Sequence, residues 1–177
     1  QAWYELRMVN PENQKLSIAE AIDRAVFPGL QGGPHNNVIA GMAWTFEQAA
    51  KPEFIAYQKQ IVKNARALAD TLKKIGFNLV SGGTDNHLML IDLKNKKISG
   101  LEAETRLERN GILANRNAIP GDQSPFKPSG IRLGTPSVTA RGLKENEIKI
   151  MAKLIYQCLL KRKVVKNEVE KLCLRFP

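Results

Sequence analysis

Cysteine and histidine are scarce in this 177-residue chain, two of each. Cys158 and Cys173 lie fifteen positions apart on apolar helical faces without C-x-x-C spacing. That spacing argues against a disulfide framework or a zinc site and suits a reducing cytoplasm. Neither His35 nor His87 has a metal-type partner at helical spacing, so no metal site is expected. No apolar run approaches the roughly 18 residues of a membrane span, and the N-terminus lacks the basic-then-apolar pattern of a signal peptide. The expectation is a soluble, cytoplasmic protein with no membrane partner. Acidic residues are the minority charge, 17 against 27 lysines and arginines, a net charge of +10. The excess concentrates between Arg141 and Pro177, where ten basic residues face four glutamates. Lys161, Arg162, Lys163 and Lys166 cluster where one helix ends and the next begins, a place that favours cations. A solvated face is therefore preferred to a nucleic-acid patch, which would carry aromatic or base-reading residues among the charges.

What is present is a globular composition, 43% apolar and 25% charged, long enough for one domain or one domain plus a piece of another. Residues 1–14 give no clear period. Ser17 with Glu20 forms a capping-box pattern opening a short helix that Pro28 should end. A loop rich in glycine and proline follows from Phe27 to Asn37, and a helix is expected over Val38 to Ala50. Pro52 and Glu53 start the longest helix, with Phe54, Tyr57, Ile61, Ala65, Leu68, Leu72 and Ile75 on one face and Gly76 as its stop. Strands are expected at Phe77–Val80, His87–Leu93, Ile112–Asn115 and Ile131–Leu133. A second capping box, Ser99 with Glu102, opens a helix closed by Gly111. Two apolar-faced helices finish the chain, one carrying Ile148, Met151, Ile155, Cys158 and Leu159, the other Val165, Val169, Leu172, Cys173 and Phe176. The order of these elements predicts an α+β layer, a small sheet with helices against it.

The segment from Asn117 to Gly142 holds most of the candidate chemistry. Pro120, Gly121, Pro125, Pro128 and Gly130 make an ordered loop before a strand that carries Arg132. With Gly130 before it and Gly134 after it, Arg132 suits a carboxylate clamped through two parallel hydrogen bonds, and equally suits a structural ion pair. Gln31, Gly32, Gly33 and Pro34 offer backbone N–H groups for a phosphate, although turn geometry alone accounts for a lone glycine pair and no G-K-[ST] follows. His87 reads as a core or turn histidine, and His35 has no serine or cysteine placed as a nucleophile beside it. Asp85, Asp92 and Asp122 read as turn and strand-end residues.

Taken together, AVFPGLQGGPHNNVIAG (Ala25–Gly41), SGGTDNHLMLIDL (Ser81–Leu93) and SPFKPSGIRLGTP with VTARG (Ser124–Gly142) resemble the serine hydroxymethyltransferases, in that family's order. The resemblance runs from about Ile18 to Pro177. It implies the aspartate-aminotransferase type of fold, pyridoxal phosphate as cofactor, tetrahydrofolate as co-substrate, serine and glycine as substrates, and a homo-oligomer, dimer or tetramer, with shared active sites. By the resemblance, Arg132 grips the substrate carboxylate. Gly33, beside Gly32, meets the cofactor phosphate of the neighbouring subunit. Ser124, Pro125 and Phe126 touch the folate, and Asn117 lies near its pteridine. These are recognition roles, so no catalytic residue is expected in this chain.

The departure from the family pattern is large. The cofactor-bearing lysine of that family lies in a Thr-Thr-Thr-His-Lys segment upstream of FPG, and no such segment occurs here. The Gly-Pro-Arg-Gly-Gly run is also absent, and Gln1–Met8 (QAWYELRM) does not match it. The tyrosine and glutamate of the substrate pocket and the aspartate that pairs with the pyridine nitrogen likewise belong to the family's N-terminal half. The expectation is a C-terminal portion, with residues 1–50 a remnant of the large cofactor-binding domain, 51–76 an interdomain helix and 77–177 the small α+β domain. Such a chain is expected to be inactive alone, the alternative being a non-catalytic binding or dimerisation partner of a full-length enzyme.

Overall fold

The structure, a computed structural model, describes residues 8–9 and 15–177. The chain divides into two compact units, Gln1–Ala49 and Ala50–Pro177. In the first, β1 (Met8–Val9) pairs antiparallel with β2 (Lys15–Leu16); the rest of the stretch read as aperiodic lies outside the described residues. α1 (Ile18–Arg24) opens with the expected capping box: Glu20 N donates to Ser17 Oγ at 3.3 Å, and Ser17 N donates to the Glu20 carboxylate at 2.8 Å. Beyond Arg24 the chain continues through a π-type turn, Ala25–Leu30, in place of stopping outright. Phe27, held at φ −138° and ψ 126°, breaks the helical path, because the residue before a proline is excluded from helical backbone. The Phe27–Pro28 peptide is cis. α2 (Asn36–Ala49) follows and has no buried residue.

The second unit carries the core. α3 (Pro52–Lys74) begins with its proline in the first turn, where no N–H is missed, and ends before Gly76 at φ 92°, a conformation that favours glycine. Its inner face buries Ile61, Ala65, Leu68 and Leu72 as the period required, whereas Phe54 stays exposed. Strands β3 (Asn78–Leu79), β4 (Leu88–Asp92), β5 (Asn115–Asn117) and β6 (Gly130–Gly134) form one antiparallel sheet in the order β3-β4-β6-β5. Leu79, Met89, Ile91, Ile131 and Leu133 face the helices; alternation sends their neighbours to the other side. α4 (Gly100–Arg109), α5 (Pro136–Ala140), α6 (Glu145–Leu160) and α7 (Lys166–Leu174) complete the layer, with α3 and α4 both packed on α6. The mixed α+β class is therefore as expected.

Three local expectations are corrected. The strand placed at Ile112–Asn115 forms at Asn115–Asn117 because Ile112 is consumed in closing α4. Its N–H donates to Leu107 O and that of Gly111 to Glu108 O, both at 2.9 Å, the double bond of a Schellman cap. The second capping box is half made: Ser99 Oγ accepts from Glu102 N at 3.1 Å, but the Glu102 carboxylate turns to Arg106 one helical turn on. α5, a single turn opened by Pro136, was not anticipated. Cys158 and Cys173 are free thiols, the first buried.

Candidate functional site

Arg132 lies at the centre of β6, paired across the ladder with Leu90 of β4 and Asn115 of β5. Because Ile131 and Leu133 face the core, Arg132 must face outward, and it is exposed. The described ion pairs, Arg66–Asp85, Lys94–Asp122, Arg106–Glu102, Arg116–Glu104, Lys166–Glu170 and Arg175–Glu147, leave its guanidinium out. Two positions away on either side stand glycines, and Gly130 has a local reason. A Cβ on Gly130 would sit 2.4 Å from Ile119 Cγ2 and 2.9 Å from Ile91 O, so the strand start admits no side chain. Gly134 pairs with Leu88, on the same outward face as Arg132. Asn117 pairs with Gly130, which puts the Asn117 side chain on that face as well.

Between β5 and β6 the chain makes an ordered loop, residues 118–129. Asp122 is its knot. Its carboxylate accepts from Ile119 N and Ser129 N, each at 3.0 Å, and from the Ser129 hydroxyl, while Lys94 Nζ approaches to 3.4 Å. The Ser129 hydroxyl first, and the two backbone N–H groups after it, hold this carboxyl far below the ordinary aspartate range. At the loop tip, Phe126 N and Lys127 N donate to Ser124 Oγ and Ser124 O, both at 3.2 Å, and the Phe126 ring is 92% exposed. Ser124, Pro125 and Phe126 thus share one tight turn.

The strand's far end is anchored on α3. Asn64, fully buried, donates to Thr139 Oγ1 and Leu143 O at 2.8 Å each. Thr135 Oγ1 donates to Ile61 O at 2.9 Å, and Tyr57 OH donates to Pro136 O at 3.0 Å. These bonds pin the turn that follows Arg132 to a long helix. Sequence reasoning passed over Asn64, although an asparagine three positions after Ile61 within an apolar stripe is itself a sign of a buried polar contact.

In the unit ending at Ala49, Gly32 and Gly33 are exposed just before α2, and a Cβ at either would meet nothing within 4 Å. Packing within the chain does not demand glycine there, and the backbone stands open to an approaching group such as a phosphate. His35 contributes its carbonyl to the first turn of α2. His87 is an exposed turn residue whose carbonyl accepts from Thr135 N at 3.0 Å. Asp92, at the end of β4, accepts from Lys94 N, and Asp85, in the bend between β3 and β4, lies 3.9 Å from Arg66 of α3. No group of three or more potential metal ligands is found among the described residues, nor a helix long and apolar enough to cross a membrane. A cavity of about 280 Å³ beneath α7, walled by Leu68, Ile112, Leu133 and Leu172, excludes Arg132 and the 118–129 loop.

A family model described as serine hydroxymethyltransferase matches residues 5–155. The match thus begins nearer the N-terminus than the resemblance noted from about Ile18, within Gln1–Met8. It ends inside α6, leaving α7 beyond it.

Proposed function

Since the chain belongs to the serine hydroxymethyltransferase family, whose parent enzymes interconvert serine and glycine, we propose that it supplies the substrate- and folate-recognising part of such a site. The observation that carries this reading is Arg132: a guanidinium with no carboxylate partner among the described residues, on the open face of the sheet and framed by glycines. A planar fork of donors in that position suits the two oxygens of an amino-acid carboxylate, each bond being charge-assisted. Asn117, on the same face, and the Ser124–Pro125–Phe126 turn offer amide, hydroxyl and aromatic surface to a reduced folate. Gly32 and Gly33 offer bare backbone to the phosphate of pyridoxal phosphate held by a neighbouring subunit of a dimer or tetramer.

Bound pyridoxal phosphate supplies the electron sink for bond cleavage at the substrate's α-carbon. What this chain adds is orientation. Holding the carboxylate at two points fixes rotation about the α-carbon, so that the bond to be broken stands in one direction. The fold is then the small domain and the end of the large domain of the aspartate-aminotransferase type, with residues 51–76, which include α3, as the segment between them.

The 177 residues contain no Thr-Thr-Thr-His-Lys segment, and the chain alone is expected to give no turnover. The test is borohydride reduction after mixing with pyridoxal phosphate, alongside a serine-cleavage assay. A stable adduct at one specific lysine with serine cleavage overturns the inactivity; a restored complete enzyme in which Arg132→Ala leaves serine affinity unchanged overturns the clamp. A second reading, a non-catalytic partner that assembles with a full-length subunit, is favoured by the exposure of Val38, Ile39, Met42, Trp44 and Phe46 on α2. Co-purification with a full-length enzyme supports it, and a folded lone monomer counts against it.

A further inference from the structure

The loop between β5 and β6 is closed at its base by a single carboxylate. Asp122 Oδ2 receives the N–H of Ile119 on one side and of Ser129 on the other, both at 3.0 Å, and Oδ1 receives the Ser129 hydroxyl. Lys94, from the short turn Lys94–Lys96 after β4, reaches in with Nζ 3.0 Å from Pro120 O and 3.4 Å from Asp122 Oδ1. Only 6% of the Asp122 side chain is exposed, so the knot is shielded from water. The segment just outside it is fixed as well. Ile119 is buried against Gly130, Leu93 N donates to Ser129 O at 3.1 Å, and Gly100 N donates to Pro128 O at 2.9 Å. Among the described residues the tip between, 124–127, has bonds only to itself, and Phe126 projects into solvent. A rigid base with an uncommitted tip is what a recognition loop needs if its shape is to exist before the ligand arrives.

We propose that Asp122 is the positioning residue of this loop: its carboxylate joins the two loop ends and so presets the Ser124–Phe126 turn and the adjacent Asn117 for a reduced folate, without touching the ligand. The folate part rests on the reading of the preceding subsection. Serine hydroxymethyltransferase chemistry gains nothing from Asp122 directly; its effect passes through Ile119 and Ser129.

The test compares the wild-type chain with Asp122→Asn, Asp122→Glu and Ser129→Ala, reading hydrogen exchange at the Ile119 and Ser129 amides and calorimetric binding of 5-formyltetrahydrofolate. Asparagine keeps the shape of aspartate and an oxygen for the two N–H groups, but it is uncharged, which weakens those bonds, and it sets its NH2 against the Ser129 hydroxyl and the Lys94 ammonium in place of Oδ1. Glutamate keeps both oxygens on a longer arm. A positioning carboxylate therefore ranks Asp above Glu above Asn, while a space-filling side chain ranks Asn above Glu. We expect Asp122→Asn to speed exchange at both amides at least tenfold and to weaken folate binding about tenfold, roughly the worth of one charge-assisted bond. Exchange in α3 and α6 should not change. Ser129→Ala, which keeps both backbone bonds, should change either readout less than threefold. Asn outranking Glu, equal loosening of α3 and α6, or unaltered loop exchange in Asp122→Asn overturns the proposal, as does folate affinity within twofold of wild type. If the wild-type chain takes up no folate, the recognition reading falls, and the exchange ranking alone decides for or against Asp122.

Discussion

Arg132 is an exposed guanidinium on the outer face of β6, so removing it costs the fold little. Arg132→Ala in a restored complete enzyme should lower serine affinity on the order of 100-fold, the worth of two charge-assisted bonds, with the melting temperature unchanged. Arg132→Lys should recover only part of this, because a point charge cannot bind both oxygens in one plane; titration of serine by calorimetry reads both. Cys158 behaves oppositely to an exposed side chain. Burial pushes its thiol up, and it accepts from Asn110 Nδ2 at 3.4 Å. Ellman's reagent should therefore titrate Cys173 in the native chain and Cys158 only after unfolding. The contrast between these thiols was not legible in the sequence, where both sit on apolar helical faces.

Among the elements, the junction of α3 with the turn after β6 depends on Asn64. Asn64→Ala would leave Leu143 O without its side-chain donor in the core and take one of two bonds from the Thr139 hydroxyl, and is expected to cost about 2 kcal/mol in urea denaturation. At the other end of β6, Gly130→Ala would force a methyl to within 2.4 Å of Ile119 Cγ2, a loss of about 2 kcal/mol. The loop knot adds a pH dependence of known sign. The carboxyl of Asp122 is lowered in the folded chain, so its stabilisation is complete above the ordinary unfolded aspartate value, about 4. It is lost progressively as pH falls below that toward the folded value. Urea unfolding midpoints of wild type and Asp122→Asn, measured at a series of pH values, should therefore converge as pH falls below about 4. The helix starts at Ser17 and Pro52 and the stops at Gly76 and Gly111 were readable from local chemistry, since a cap is decided by residues within one turn. The position of β5 was not, because a strand begins only where a partner's edge is available.

For the whole molecule, the segment ending at Ala49 contrasts with the rest of the chain. Its large apolar residues, Phe27, Leu30, Trp44 and Phe46 among them, are 63%, 86%, 64% and 71% exposed, whereas the second unit encloses a continuous core. Such surface is costly to leave in water. Sedimentation of the 19.7 kDa chain should therefore show association that grows with concentration, and Trp44→Asp with Phe46→Asp should shift it toward monomer. A monomer at every concentration would contradict this expectation.

The sequence by itself determined the longer helices, most of their starts and stops, the α+β class and the family, because each of these is written in spacing and in contiguous motifs that survive without knowledge of neighbours. Arg132 as a candidate was equally visible, framed by Gly130 and Gly134. Whether it was a clamp or an ion pair was not visible, since that depends on which carboxylates the fold brings near. Only the tertiary structure decided that none of the described acids does so, and that Asn64 and Asp122, 58 positions apart, each fix one end of the region around β6. Asn64 acts through partners 75 and 79 positions away, whereas Asp122 binds within its own loop and meets only Lys94 from another element; long-range pairing is the information a local pattern does not carry.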